Sequence, residues 1–320
     1  MQDDAPSLPQ AHAIARELLK ATAERLAPFR PAVGGDDSWS FRLWCGGRPM
    51  LLKVKRRPGS PVGVCFHRRA REAGVPVPEL LAFSPDAGPR GEACAVWEWV
   101  DGVPAEWGEG EACPYDEAEL GRLLRRVHDV RCGLPYGLLG DDPASRGYTS
   151  HPDLGPVSDT WSGFFHCDAA ARRGRDAGYL TPGEAKALAS LPRRMAGELD
   201  AADPRLLHMG DIMFHGNMLL DPNTGRIRAV VDYVESTAGH PRWELAWFDF
   251  YFGQYPCEDL AFDMARFRAA YGTDHDPCDR LGRFYLLAVL VFEKLLFYRP
   301  DSLRGRWAIG CVRDTLRQLA

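Results

Sequence analysis

The sequence predicts an α+β molecule in two unequal parts, a small antiparallel β-sheet with a helix followed by a larger, mainly helical part. Three observations predict it. Short β-prone runs at 39–45, 50–55 and 93–100 fall within the first hundred residues. From Tyr115 onward the apolar residues recur at helical spacing. One segment, His208 to Ser236, breaks that pattern: the apolar runs 218–220 and 227–231 flank Asp221 to Gly225, which is turn chemistry and therefore predicts an embedded hairpin. The division falls near 100–103, giving units 1–101 and 102–320, and 320 residues is a length that accommodates two lobes.

Taken in order, a first helix is expected over 9–27, where Ala11, Ile14, Ala15, Leu18 and Ala21 share one face. Gly46, Gly47, Arg48 and Pro49 supply a turn between the first two strands. A short basic helix, 64–73, closes at Gly74, whose followers Val75 to Pro78 are extended. Leu120, Leu123, Leu124 and Val127 form the apolar face of a helix ending near His128. Further helices are expected at 158–175, 182–200, 241–253, 258–271, 279–298 and 303–319, and no repeat or low-complexity tract occurs.

Composition excludes several classes. A hydrophobic share of 45% with 26% charged residues is ordinary for a folded chain, and a net charge of −5 argues against a nucleic-acid partner. The N-terminus lacks the basic-then-apolar plan of a signal peptide, and the longest apolar run, 285–292, is too short to span a bilayer. The nine cysteines are scattered without a C-x-x-C pair, which fits free thiols in a reducing cytoplasm better than a zinc site or a disulfide framework.

The chemistry concentrates in the hairpin segment. An antiparallel hairpin brings Asn217, at its start, close to Asp232, at its end, with Asp211 in the entering loop. A carboxamide and a carboxylate suit Mg²⁺, which binds through one or two side chains plus substrate phosphates and water. A further carboxylate can orient and deprotonate a hydroxyl nucleophile. In the first part, Gly34 to Ser40 lies between extended segments; there Gly35 lets backbone amides approach phosphate, and Ser38 and Ser40 add hydroxyl donors. Leu51, Lys53 and Lys55 share one face of the next strand.

These motifs, in this order from about residue 30 to 250, resemble the aminoglycoside phosphotransferase family, relatives of the protein kinases. The pattern is His-Gly-Asp, a short spacer and Asn, then a strand ending in Ile-Asp-aromatic. The resemblance implies a bilobal protein-kinase-like fold with Asp211 as catalytic base, Asn217 and Asp232 as magnesium ligands and His208 as a structural support of the loop. Here Met209 and Gly210 separate His208 from Asp211, and Asn217 follows Asp211 by six positions, so the loop is one residue longer than the family pattern. An apolar residue two before the phosphate lysine packs under the adenine in such folds, which selects Lys53, with Leu51 under the base. Ala95 to Gly102 looks like the hinge, where the Glu98 carbonyl and the Val100 amide would bond the purine edge of ATP or GTP. Gly74 to Pro78 matches the Gly-Val-Pro-Val-Pro connector. Gly239 to Ala246 matches a downstream motif whose acid, here Glu244, braces the catalytic loop. A glutamate that family members carry on the preceding helix, paired with the strand lysine, has no counterpart in 61–67, and Glu72 is the nearest acid. Either Lys53 is held by Asp232 and phosphate alone, or the helix is rearranged.

The resemblance implies transfer of the γ-phosphate of ATP or GTP to a hydroxyl of a small molecule, an antibiotic in the first instance. Basic side chains outnumber acids from Arg280 to Arg317, which does not favour a polycationic acceptor; a neutral or weakly charged hydroxylated natural product is expected, such as a capuramycin-type nucleoside antibiotic. The aromatics between Trp161 and Phe252 that recur at helical spacing read as core rather than pocket. The alternatives are a choline- or sugar-type metabolite kinase and a degenerate nucleotide-binding regulator. Intact Asp211, Asn217 and Asp232 speak against the regulator.

Overall fold

Helix α1 (Leu8–Leu19) starts where the sequence caps it: the Ser7 hydroxyl accepts from the Gln10 amide while the Gln10 side chain returns to the Ser7 amide. Its face of Ala11, Ile14 and Ala15 is buried against one side of a sheet. In the computed structural model, described over residues 5–20, 25–29, 38–106, 113–141, 157–208, 216–233, 236–254, 261–272, 275–294, 299 and 301–319, that sheet is built from β1 (Arg25–Phe29), β2 (Ser38–Cys45), β3 (Arg48–Lys55), β4 (Leu80–Ser84) and β5 (Cys94–Glu98). The order is β1-β2-β3-β5-β4, antiparallel throughout. Pleat alternation separates its two faces. Phe41, Leu43, Met50, Leu52, Val54 and Val96 pack under α1, whereas Leu51, Ala95 and Trp97 face α2 (Val64–Glu72) and the core of the second lobe.

The second lobe is mainly helical. It contains α3 (Glu117–Asp129), α4 (Trp161–Phe164), α5 (Cys167–Asp176), α6 (Pro182–Arg194), α7 (Ala196–Leu199), α8 (Pro241–Asp249), α9 (Met264–Tyr271), α10 (Arg280–Val289) and α11 (Leu303–Gln318). Among them lie two small sheets. One joins β6 (Val103–Pro104) to the hairpin of β10 (Met218–Leu220) and β11 (Ile227–Val230). The other has the order β8-β7-β12-β9, from Val157–Ser158, Tyr136–Leu138, Thr237–Gly239 and Arg205–Leu207. The aromatics expected in the core are there: Trp161 and Phe164 are fully buried, their rings stacked 4.8 Å apart, and Trp161 Nε1 donates to the Tyr285 hydroxyl at 2.8 Å.

Several expectations need correction. The first helix does not reach residue 27: Lys20 leaves it in the left-handed region, and 25–29 pair instead with β2, because an open sheet edge offers the backbone a ladder. The helix expected at 158–175 is divided into β8, α4 and α5 where Phe165 turns extended and sets its ring against Trp243 and Phe284. The helix at 182–200 breaks at Met195, just past Pro192, which has no amide to continue the ladder. The helices at 241–253 and 279–298 pass into π-helical turns, Phe250–Gln254 and Leu290–Lys294. Helix α9 begins only at Met264, where the Asp263 side chain caps it. The third strand is shorter than 93–100, and β4 and the four-stranded sheet were not legible as strands. Residues 258–260 and 295–298 of those helices lie outside the described residues.

Candidate active site

The hairpin forms as its sequence requires. Asp221 Oδ1 accepts from the amides of Asn223 and Thr224 at 2.9 and 3.0 Å, and Gly225 takes the left-handed conformation that closes the turn. The Asn223 amide, then the Arg228 guanidinium, hold the Asp221 carboxyl down to about 2. Met218 pairs with Val230, and the Asn217 carbonyl accepts from the Val231 amide at 2.8 Å. Asn217 and Asp232 are thereby brought together at the open end of the hairpin. Asp232 has φ of 62°, a conformation that favours glycine; such strain in a non-glycine residue collects at functional sites. Tyr233 follows, buried, with its ring stacked on Phe66 of α2 at 5.0 Å.

Behind this lies a buried brace. Glu244, in the first turn of α8, receives the His208 amide and His128 Nε2 on the same oxygen, Oε2, at 2.8 and 2.9 Å. With Nε2–H donating to the carboxylate, His128 Nδ1 is the acceptor for the Tyr271 hydroxyl at 2.7 Å. Burial keeps the His208 imidazole below its ordinary value, against the opposing pull of Glu244 and Asp232. His208 and Glu244 are thus joined directly. His128 and Tyr271 complete the set, and the sequence reading did not single them out. Their only sequence signal was a histidine closing an otherwise apolar helix face, with its acid 116 residues away.

On the sheet side, Ser40 lies directly across from Lys53 and Ser38 from Lys55, so all four side chains share one face. Ser38 and Ser40 belong to β2 rather than to the preceding loop, because the pairing with β3 extends to Lys55. Lys53 is half-buried, and Lys55 is 1% exposed. Glu98 ends β5 opposite Met50, and Val100 lies two residues beyond. Asp211, Gly35 and most of the Gly34–Ser40 segment lie outside the described residues.

The start of α2, which carries no acid of its own, is met by an acid from the second lobe. At the N-terminus of α2, Gly63 has φ of 86°, and a Cβ built on it would lie 2.5 Å from Tyr233 Cβ. Asp141, just after β7, reaches this point: Oδ1 accepts from the Gly63 and Val64 amides at 2.8 and 2.9 Å, and Oδ2 accepts from Val62 at 2.9 Å. Burial raises the Asp141 carboxyl; the three amides and then the Lys55 ammonium oppose that. A lone aspartate some 77 residues from its partners carries no sequence signal. Among the described residues no group of three His, Cys, Asp or Glu side chains is arranged to hold a metal ion, no helix is long and apolar enough to cross a membrane, and the eight described cysteines are free.

A five-stranded antiparallel sheet packed by α1 and α2, followed by a mainly helical lobe that carries the β10–β11 hairpin, defines the bilobal, protein-kinase-like class. Residues 28–281 match the model of the phosphotransferase enzyme family, and the chain belongs to that family. It is similar in fold to a candidate fructosamine-3-kinase from Thermobifida fusca, at 21% identity and a TM-score of 0.63 over 97% of this chain and 100% of the other. A thermostable mutant of aminoglycoside phosphotransferase APH(4)-Ia, in ternary complex with ADP and hygromycin B, is similar at 19% identity and a TM-score of 0.61, over 97% and 98% of the two chains. A candidate aminoglycoside phosphotransferase from Ralstonia eutropha follows at 17% identity and a TM-score of 0.58, over 97% and 96%. No curated protein matches the sequence.

Proposed function

We propose that the protein is a Mg²⁺-dependent O-phosphotransferase that moves the γ-phosphate of ATP or GTP to a hydroxyl of a small natural product, an antibiotic first among the candidates. The observation that supports this reading is the hairpin register, which pairs the backbone of Asn217 with Val231, the residue before Asp232, while Glu244 receives the His208 amide. Two oxygen donors fit a hard cation that fills its remaining positions with water and phosphate oxygens, so Asn217 and Asp232 would hold Mg²⁺. Such an ion neutralises charge on the phosphates. Lys53, with Ser38, Ser40 and the Gly35 amide, would bind the phosphates, and the backbone of Glu98 and Val100 the purine, with the lobes dividing at 101/102. Asp211 would accept the hydroxyl proton of the acceptor, and His208 and Glu244 would hold its loop in register. Free thiols and the absence of a spanning helix among the described residues support a cytoplasmic setting.

The basic C-terminal residues are largely engaged or exposed: Arg280 pairs with Glu198, Arg313 with Glu184 and Arg317 with Asp314. Basic side chains predominate over acids in this segment, which supports a neutral or weakly charged acceptor, such as a capuramycin-type nucleoside, over a polycation. The likeness to a candidate fructosamine-3-kinase favours sugar-type acceptors as a second reading. Nucleotide turnover measured against a panel of nucleoside antibiotics, sugars and aminoglycosides decides between them, and selective use of kanamycin-like polycations would refute the acceptor class. Asp211→Ala should retain nucleotide binding and lose about 10²–10⁴ in kcat. Undiminished turnover in that variant would refute the base assignment.

A further inference from the structure

Lys55 is almost wholly buried, yet it belongs to the face of β3 that carries Lys53. A buried ammonium is retained only when an anion offsets its lost hydration. The helix packed over this face offers none near its start, for 61–67 contains no acid. It offers instead three convergent backbone amides, Val62, Gly63 and Val64, around a left-handed glycine. The first turn of a helix carries unsatisfied N–H groups and partial positive charge, so lysine and helix end together demand a carboxylate.

We infer that Asp141 is that carboxylate, an inter-lobe clamp that ties the N-terminus of α2 to the second lobe, supplies the counter-charge of Lys55 and so positions the lysine-bearing face of β3 for nucleotide. The aspartate is well anchored for the task. It stands two residues after Leu139, whose amide donates to the Ser236 carbonyl at 2.9 Å, at the end of β7, which pairs with β12. The same α2 terminus abuts Tyr233, the neighbour of Asp232. One carboxylate therefore links the start of α2 and the buried lysine to the segment that follows the hairpin. The clamp is a positioning device and touches no reacting atom. Its effect on nucleotide rests on the phosphotransferase reading; its existence does not.

The test has two arms. In the first, Lys55→Met and Asp141→Asn are made singly and together, and urea unfolding is followed without ligand. Asparagine keeps one oxygen for the Val62, Gly63 and Val64 amides, so the variant removes the charge together with the second acceptor at Val62. Each single change should raise the unfolding equilibrium constant, and the double should fall short of their product by about tenfold or more. Effects that simply multiply would overturn the clamp. Should a single variant not fold, recovery of a folded double variant is the expected result and its continued failure the contrary one. In the second arm, Mg·ATP and Mg·GTP binding and the steady-state constants are measured for wild type and Asp141→Asn. The nucleotide dissociation constant and KM should rise about tenfold while the acceptor KM stays unchanged. Unchanged nucleotide affinity with intact coupling would reduce Asp141 to a structural cap. Failure of the wild type to bind either nucleotide would remove the phosphotransferase reading and the nucleotide role together, and the first arm would still decide the pair.

Discussion

Glu244 is a single acid whose one oxygen satisfies two donors in a dry environment, the His208 amide and His128 Nε2. Glu244→Ala strands both, and buried donors without an acceptor cost about 1–3 kcal/mol each. Unfolding by urea should show a loss of about 2–4 kcal/mol for alanine and less for glutamine, which retains the oxygen. If Asp211 acts from the neighbouring loop, kcat should fall further than nucleotide affinity in both variants. An alanine variant as stable as wild type would rule out the brace. Glu244 was legible because it lies inside a recognisable local motif. His128, Tyr271 and Asp141 were not, because each gains its meaning only from a partner distant in sequence.

At the scale of elements, the contact between α2 and the segment after β11 leaves no room for a side chain at Gly63. Gly63→Ala adds both a left-handed strain and a clash with Tyr233, and should cost about 2–4 kcal/mol. Gly46→Ala, at φ of 58° with open space around it, pays only the backbone strain and should cost about 1 kcal/mol. Equal costs in denaturation would mean that α2 does not press on Tyr233 as described. The hairpin, β2, β3, α2 and the α3 face were legible from period and turn chemistry, which act within a few residues. The β1 pairing, the split at Phe165 and the two π-helical turns were not, since edge pairing and aromatic packing override local helical preference.

For the whole molecule, buried and half-buried histidines couple stability to pH. Burial, then the nearby Arg242 charge, pushes His240 down to about 3, and burial lowers His67 and His208 as well. These folded values lie below the unfolded one, so the unfolded chain binds more protons over the interval between them. Their contribution is complete above about pH 6.5 and is lost progressively as pH falls toward about 3. His240→Asn keeps an acceptor for the Arg242 amide and should flatten the fall in unfolding free energy, measured by urea, between pH 6.5 and 4, by at most about 1.4 kcal/mol per pH unit. An unaltered slope would show that His240 does not titrate in this way. The sequence by itself determined the two-part plan and the hairpin, because periodicity and turn chemistry are local. The tertiary structure alone decided which acid receives the amides at the start of α2 and which histidine shares Glu244 with the His208 amide. Burial and charge pairing are settled by chain segments that meet only after folding.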